Sequence, residues 1–143
     1  MTDGGRIVLD TNVLAETIRP EPAEQVIQWL NQQPAHSVFI TTMTEAEIRY
    51  GIEILPAGRR RDRLLAAAER AFRDLFHERI LPFDRIAAGA YARIAADRKA
   101  IGRPITTADC QIAAIAYAHG AAVATRNDAD FMGTGIDVRN PWT

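Results

Sequence analysis

The feature that most constrains the fold is a short apolar run at residues 7–9, which ends at Asp10 and passes directly into a helical pattern. An unbroken apolar run of this length is typical of a strand that is buried on both faces of a parallel sheet. Ligands of open α/β sheets bind just beyond the carboxyl ends of the strands. Asp10 therefore occupies a position where binding sites are common, although an aspartate here would also serve as N-cap of the following helix.

Runs rich in β-forming residues alternate with helical patterns along the rest of the chain. Further strands are predicted at residues 37–41, 80–84 and 121–125, with a possible edge strand at 136–138. The helices between them are predicted at residues 13–18 and 23–33, from Thr44, from Arg59, and at 86–101 and 106–118. Such alternation implies right-handed crossovers and a mostly parallel sheet covered by helices on both faces. We therefore predict one three-layer α/β/α domain over residues 1–143, with four to five strands.

Composition excludes several classes of function. The 17 basic and 18 acidic residues give a formal net charge of -1, so no global positive field indicates a nucleic-acid binder. Cys110 is the single cysteine, which excludes an intramolecular disulfide and a thiolate zinc cluster. The three histidines are far apart in sequence and lack metal-ligand spacing. No stretch resembles a signal peptide or a membrane span, so we expect a cytoplasmic protein with no membrane partner.

Acidic residues recur where the predicted helices begin. Glu47, Asp109 and Asp130 each lie three residues after a Thr or Asn, the spacing of a capping box or of its aspartate variant. Capping explains each residue separately, but it does not explain why they should converge. Because residues that follow parallel strands gather at one sheet edge, we expect Asp10, Asp109 and the 127–130 turn to lie close together. Glu47, one turn into its helix, can project to the same place.

Converging carboxylates repel one another, and this repulsion would raise their pKa values. A hard divalent cation removes the conflict, and Mg²⁺ or Mn²⁺ takes oxygen ligands, retains several waters and commonly bridges to phosphate. Water activated by such a metal can attack a phosphodiester. The acidic set therefore favours a metal-dependent hydrolase that acts on phosphodiester bonds.

Four segments resemble, in order, the motifs of PIN-domain nucleases. They are residues 7–14 (IVLDTNVL), 44–51 (TEAEIRYG), 104–116 (PITTADCQIAAIA) and 124–131 (ATRNDADF). In the second motif of this family the acidic residue precedes the glycine by four positions, which selects Glu47 over Glu45. The ending Asn140-Pro141-Trp142 is typical of the branch that holds FitB-like and VapC toxins. Each motif alone is weakly specific, but together and in this order they span essentially the whole chain.

The resemblance implies a Mg²⁺-dependent endoribonuclease toxin of the VapC type, with Mn²⁺ as a possible substitute metal. RNA would be the substrate, a cognate antitoxin would hold the toxin inactive in a hetero-oligomer, and the toxin itself would form a homodimer. Asp10 and Asp109 would be the central metal ligands. Glu47 would be the third acidic residue, which binds the metal directly or through water, or orients the attacking water.

The fourth acidic position stays open in the sequence. Some members of the family carry an acid where this chain has Asn127, and others carry it just before the Phe, as Asp130 does here. We favour Asp130 as the catalytic and metal-binding residue, with Asp128 as the substitute. The polar neighbours that the resemblance implies at the pocket are Thr11, Asn12, Thr125 and Asn127.

The main alternative function is a catalytically weak module of the same fold that acts by binding an antitoxin or RNA. The intact acidic set favours the enzyme. The predicted helix from Arg59 carries an apolar stripe that is either core or partly a groove for an antitoxin helix or a second subunit. The stripe consists of Leu64, Leu65, Phe72, Leu75 and Phe76.

Arginines supply 16 of the 17 basic residues, because Lys99 is the only lysine. The run at residues 59–63 is interpreted as a solvated helix start rather than an RNA contact. Other arginines could reach an RNA backbone if they border the pocket, and these are Arg19, Arg49, Arg98 and Arg103. Cys110 is interpreted as a small buried residue rather than a nucleophile.

Overall fold

Strand β1 (Ile7–Leu9) lies at the centre of a five-stranded parallel sheet in the computed structural model, which describes residues 5–143. The other strands are β2 (Val38–Thr41), β3 (Ile80–Leu81), β4 (Ala122–Ala124) and β5 (Val138–Arg139). Their order is β3-β2-β1-β4-β5, and each neighbouring pair is parallel. The predicted α/β fold with a parallel sheet is confirmed.

Six α-helices cover the two faces of this sheet within the described residues. They are α1 (Thr11–Thr17), α2 (Glu24–Asn31), α3 (Thr42–Glu53), α4 (Arg59–Arg70), α5 (Arg85–Ala100) and α6 (Thr107–Ala118). None of the helices between residues 5 and 143 combines the length and the apolarity that a membrane span requires.

Strand β1 contributes to two hydrophobic cores because its side chains alternate between the faces of the sheet. Ile7 and Leu9 belong to the core that includes Val13 of α1 and Val26 of α2. Val8 belongs to the core on the other face, which contains residues of α5 and α6. Burying an aliphatic side chain of this size contributes about 1.5–3 kcal/mol. The two cores make β1 a rigid support for the residue that follows it.

Helix α3 begins at Thr42, two residues earlier than predicted. The predicted start at Thr44 is wrong because the Thr41 hydroxyl, at the end of β2, accepts a hydrogen bond from the Thr44 backbone N–H at 3.2 Å and caps the helix. Thr44 therefore lies inside the first turn, fully buried. Similarly, α1 begins at Thr11 rather than Val13, because the Asp10 side chain caps it.

The helix predicted from Arg59 does not continue regularly to Phe76. Helix α4 ends at Arg70 and is followed by a π-helical turn (Ala71–Leu75), in which the Phe76 N–H donates to the Ala71 carbonyl at 2.8 Å. The wider turn buries Phe72 and Phe76 but leaves Leu75 58% exposed. Of the two alternatives for this stripe, the core is confirmed for Phe72 and Phe76, whereas Leu75 lines a surface groove.

The edge strands are shorter or shifted relative to the prediction. Strand β3 stops at Leu81 because Pro82 has no N–H to donate, and Asp84 instead caps α5 through the Ala87 N–H. Strand β5 lies at Val138–Arg139 rather than at residues 136–138. These shifts leave the carboxyl ends of β1, β2 and β4 in place, and Asp10, Glu47 and the 127–130 loop follow these ends. Asp109 follows the loop between α5 and α6.

Candidate functional site

Asp10 follows β1 directly and is the most deeply held acidic residue of the site. It is only 6% exposed. One carboxylate oxygen accepts a hydrogen bond from the Thr11 N–H at 2.8 Å, and the other accepts from the Thr125 hydroxyl at 2.8 Å and from the Asn12 amide at 3.2 Å. Asp10 is therefore both the N-cap of α1 and a fixed carboxylate, and the two interpretations of this residue are compatible.

Glu47 is exposed on α3, and α1 holds it in place. The Thr11 hydroxyl donates a hydrogen bond to Oε1 of Glu47 and lies 3.0 Å from the Thr44 hydroxyl. A hydroxyl has one proton. Because Thr11 gives its proton to Glu47, Thr44 is the donor to Thr11. This chain of hydroxyls fixes one oxygen of Glu47 beside the end of β1.

Asp109 lies in the first turn of α6. The Thr106 hydroxyl accepts a hydrogen bond from the Asp109 N–H at 3.2 Å, so the residue is fixed by the helix cap. Its side chain is partly buried. The predicted capping role of Thr106 is confirmed, and it orients the same aspartate that the resemblance assigns to the metal.

The loop after β4 separates the candidates for the fourth acidic position. Asp128 accepts a hydrogen bond from the Asn140 side chain at 2.8 Å, and Asn140 also donates to the Arg126 carbonyl at 3.1 Å. Asp130 is exposed, and its negative charge acts on Asp109. The Asn127 N–H donates to the Thr125 hydroxyl at 3.1 Å. The loop therefore engages Asp128 with Asn140 and leaves Asp130 exposed, near enough for its charge to raise the pKa of Asp109.

The electrostatics of the two aspartates link all four acidic residues. Burial raises the pKa of Asp10, and the charges of Asp109 and Glu47 raise it further, against the hydrogen bonds from Thr125 and Thr11. Burial also raises the pKa of Asp109, as do the charges of Asp130 and Glu47, while Thr106 and Arg98 lower it. Asp10, Glu47 and Asp109 therefore lie near enough to influence one another, whereas Asp130 acts on Asp109 and not on Asp10.

The four acidic residues of the site form no salt bridge in the part of the chain that the structure describes. Salt bridges there join other residues, and none includes Asp10, Glu47, Asp109 or Asp130. No three His, Cys, Asp or Glu side chains within residues 5–143 form a group that could hold a metal ion by themselves. The site is thus a concentration of negative charge around one buried aspartate, without a closed cage of ligands.

The arginines suggested for RNA contact are mostly engaged elsewhere. Arg19 pairs with Glu16, and Arg49 pairs with Glu45 and Glu69. The Arg98 side chain is buried and donates to backbone carbonyls. Only Arg103 of this group is exposed without such a bond between residues 5 and 143. Contact of any of these arginines with RNA stays a prediction, and Arg103 is the one that is free of such bonds among the described residues.

Cys110 behaves as predicted. Its side chain is fully buried, and burial raises the pKa of its thiol to about 11. A thiol with so high a pKa is protonated near neutral pH, so Cys110 is not an activated nucleophile. It lies in α6 and belongs to the core between the sheet and helices α5 and α6.

A family model described as PIN domain matches residues 7–135. The chain belongs to the PIN-domain family. Toxin FitB of Neisseria gonorrhoeae is 40% identical over 136 residues, which cover 95% of this chain and 98% of FitB. VapC ribonuclease Y4jK of Sinorhizobium fredii is also 40% identical over 136 residues, with 95% and 97% covered. A solved structure of FitAB bound to an IR36 DNA fragment has a TM-score of 0.90 at 40% identity, with 96% of each chain covered.

Several residues of this PIN domain support the site in roles that the sequence did not assign to them. Thr44, Asn140 and Arg98 each hold a loop or an acidic side chain in place. Thr44 lies three residues before Glu47, and this helical spacing could have revealed it. Asn140 and Arg98 act across long sequence separations, where no local pattern indicates a partner.

Proposed function

We propose that this chain is a Mg²⁺-dependent endoribonuclease toxin that hydrolyses RNA phosphodiester bonds and is neutralised by a cognate antitoxin. One observation carries the proposal: burial and neighbouring carboxylates raise the pKa values of Asp10 and Asp109, and neither residue forms a salt bridge among residues 5–143. A site built in this way is poised to take up a cation. The ribonuclease named among the relatives supports the class of reaction.

The donor set fits Mg²⁺. This ion prefers oxygen ligands, keeps several waters, and is commonly bound through one or two carboxylates. Asp10 and Asp109 would supply those carboxylates, and Glu47 and Asp130 would act directly or through water, so a cage of three protein ligands is not required. When bound, the metal would supply Lewis-acid activation of water and charge stabilisation at phosphate. Mn²⁺ has compatible ligand chemistry and would substitute.

The surrounding residues would orient the reacting groups. Three hydrogen bonds hold the Asp10 carboxylate in one orientation, which is the preorganisation that catalysis requires. Thr11 holds one oxygen of Glu47, and this exposed carboxylate would use its other oxygen to orient the attacking water. Asn12 also accepts a hydrogen bond from the Arg126 N–H at 3.2 Å, which ties the loop after β4 to the site.

The decisive experiment replaces Asp10 by Asn and measures Mg²⁺-dependent RNA cleavage by the purified protein. Asn retains an oxygen that can cap α1, so the fold should persist while cleavage is lost. Glu45→Gln is the matched control, because Glu45 is an acid in the same motif as Glu47 but pairs with Arg49. Unchanged cleavage by Asp10→Asn would exclude the mechanism. If the wild-type protein binds RNA or antitoxin without cleaving, the alternative of a binding module holds.

The toxin part of the proposal has a separate test in cells. Expression of the chain without its partner should arrest growth, and Asp10→Asn should remove the arrest. A wild-type chain that is harmless and cuts no RNA with Mg²⁺ or Mn²⁺ would contradict the proposal. Co-expression of the cognate antitoxin should restore growth.

A groove of about 1200 Å³ offers the antitoxin a docking surface. Its apolar wall includes Leu14 of α1, Ile27 of α2 and Leu64 of α4. Its lining also contains several arginines, which are Arg19, Arg60, Arg63, Arg70 and Arg79. An apolar segment that carries acidic side chains would complement this groove. The apolar stripe at residues 64–76 would then be partly groove, through Leu64 and Leu75, and partly core. A homodimer and a cytoplasmic location stay predictions.

A further inference from the structure

Arg98 is a buried arginine whose side chain binds only backbone carbonyls. It lies in the last turn of α5 and is 5% exposed. Its Nε donates to the Arg103 carbonyl at 2.6 Å, and its Nη1 donates to the carbonyls of Asp130 and Met132 at 2.8 and 3.0 Å. No salt bridge of the described residues includes Arg98.

This arrangement is costly for a residue with only a packing role. Removing a guanidinium from water carries a large desolvation penalty, which a carboxylate partner normally offsets. Here the compensation comes from three neutral carbonyls in two different loops. An apolar side chain of similar size would fill the space without this penalty. The hydrogen bonds themselves therefore need an explanation.

The two loops that Arg98 joins both lead to the acidic site. Arg103 precedes Thr106, whose hydroxyl caps α6 and fixes Asp109. Asp130 lies in the 3₁₀ turn Asp128–Phe131, next to the fully buried Phe131. One side chain thus sets the separation of the loops that carry Asp109 and Asp130.

We propose that Arg98 is a positioning residue, which holds the Asp130 turn against the loop before α6 so that Asp130 and Asp109 act on the same cation. This inference rests on the proposed metal-dependent function and deepens it. Arg98 does not contact substrate in this role, because its side chain is buried and acts through backbone.

A double-mutant cycle between Arg98→Met and Asp130→Asn tests the proposal. The affinity for Mn²⁺ alone is measured by titration calorimetry without RNA, and RNA cleavage is measured in parallel. If Arg98 positions Asp130, Asp130→Asn should weaken Mn²⁺ binding by about tenfold in the wild-type background and by less than about twofold in the Arg98→Met background. The turnover number should show the same non-additivity, with the KM for RNA nearly unchanged.

A merely structural role predicts a different result. Asp130→Asn would then weaken Mn²⁺ binding by the same factor in both backgrounds, and this additivity would overturn the proposal. An Asp130→Asn variant with wild-type Mn²⁺ affinity would also overturn it, because Asp130 would then contribute nothing to Mn²⁺ binding that Arg98 could position. The single variant Arg98→Met and the double variant both lack the Arg98 charge. The comparison between them therefore reports the effect of Asp130→Asn and not the loss of that charge.

Two controls address folding. Arg93→Met removes an arginine from the same helix that lies exposed over the Tyr117 ring, at 4.4 Å from its centroid, and it should leave both measurements unchanged. Ile94→Val loosens the core next to Arg98 without touching its hydrogen bonds, so it matches a general loss of stability. If Arg98→Met does not fold, Arg98→Lys replaces it in the cycle, because Lys keeps the charge and can reach fewer carbonyls.

Hydrogen exchange of the metal-free protein gives a readout that does not involve activity. The Asp130 N–H bonds to the Asn127 carbonyl at 3.0 Å, and Arg98→Met should increase its exchange while Ile94→Val should not do so selectively. Equal exchange in both variants would count against the proposal. If the wild-type protein binds Mn²⁺ but cuts no RNA, the nuclease proposal fails while the cycle in Mn²⁺ affinity still decides the role of Arg98.

Discussion

Thr125 and Asp10 lie 115 residues apart in the chain, and the Thr125 hydroxyl donates a 2.8 Å hydrogen bond to Oδ2 of Asp10. The two residues follow the paired strands β4 and β1, so the sheet register brings them together. Thr125 is fully buried, and its hydrogen bond lowers the pKa of Asp10 against the effect of burial. This bond therefore helps to keep the central carboxylate ionised.

Replacing Thr125 by Val should reduce cleavage by roughly tenfold, because hydrogen bonds to charged groups contribute about 1.5–3 kcal/mol. Val preserves the shape but not the donor. Since the pKa of Asp10 would rise further, the acid limb of the rate–pH profile should move to higher pH. Ser37→Ala removes another buried hydroxyl, which donates to the Pro34 carbonyl far from the site, and serves as control. A wild-type rate and pH profile for Thr125→Val would refute this role.

Asp109→Asn should stabilise the metal-free protein while abolishing cleavage. The pKa of Asp109 is raised above its ordinary value of 3.8, so the folded state binds the proton more tightly than the unfolded state. Protonated Asp109 therefore adds to the free energy of unfolding below about pH 3.8, and this contribution is lost as the pH rises through the pKa of the folded state. Near neutral pH the ionised group therefore destabilises the fold, and Asn should raise the melting temperature by a few degrees.

Thermal unfolding measured across the acid-to-neutral range checks this sign. As the pH rises, the melting temperature of the wild type should increase less than that of Asp109→Asn. Mg²⁺ should raise the melting temperature of the wild type but not that of Asp109→Asn. The exposed Asp74 offers the control Asp74→Asn, which should change neither result. A melting temperature that falls in Asp109→Asn at neutral pH would contradict the electrostatic account.

The two acids after β4 should differ in their importance. Asp130→Asn should lower cleavage by about tenfold or more, as expected for a residue that supports metal binding. Asp128→Asn should stay within about twofold, since a surface hydrogen bond contributes only about 0.5–1.5 kcal/mol at most to loop stability. Cleavage by the two purified variants at equal Mg²⁺ decides between them. A larger loss for Asp128→Asn would reverse the assignment and make the bond from Asn140 part of the site.

The convergence of Asp10 with the residues that follow β2 and β4 was predictable, because it depends on the sheet topology. Asp109 follows the loop between α5 and α6 rather than a strand, so its position depends on how those helices pack. Parallel strands place the residues that follow them at one edge, and short apolar runs such as residues 7–9 reveal the strands. The different hydrogen bonding around Asp128 and Asp130 was not predictable in the same way, although the sequence favours Asp130 for the site. It depends on Asn140 and Arg98, which reach the loop from distant parts of the chain.

The course of the chain after α4 shows a similar limit. Helical periodicity placed Leu75 and Phe76 on one apolar stripe, and the π-helical turn separates them. Which of the two is buried depends on packing against the sheet, where Phe76 joins the core of Ile7 and Leu9. A local pattern indicates that a helix is amphipathic, but it does not indicate where the hydrogen-bond spacing changes.

The arginines of the groove should control binding of the antitoxin rather than of RNA. Arg60 and Arg63 line the groove, whereas Arg61 binds the Ile52 carbonyl and Glu53. Arg60→Glu combined with Arg63→Glu should weaken the complex with the co-expressed antitoxin by about tenfold or more, since like charges across an interface cost several kcal/mol. Cleavage of RNA by the free variant should be unchanged. The matched control is Arg85→Glu, a reversal of an exposed charge at the start of α5.

Affinity is measured by titration at two ionic strengths, because screening weakens interactions between exposed charges. Wild-type binding should fall as salt increases, and the variant should lose most of this dependence. Weaker RNA cleavage with unchanged antitoxin affinity would move the arginines of α4 to the substrate path. Unchanged affinity and unchanged cleavage would show that the antitoxin occupies another surface.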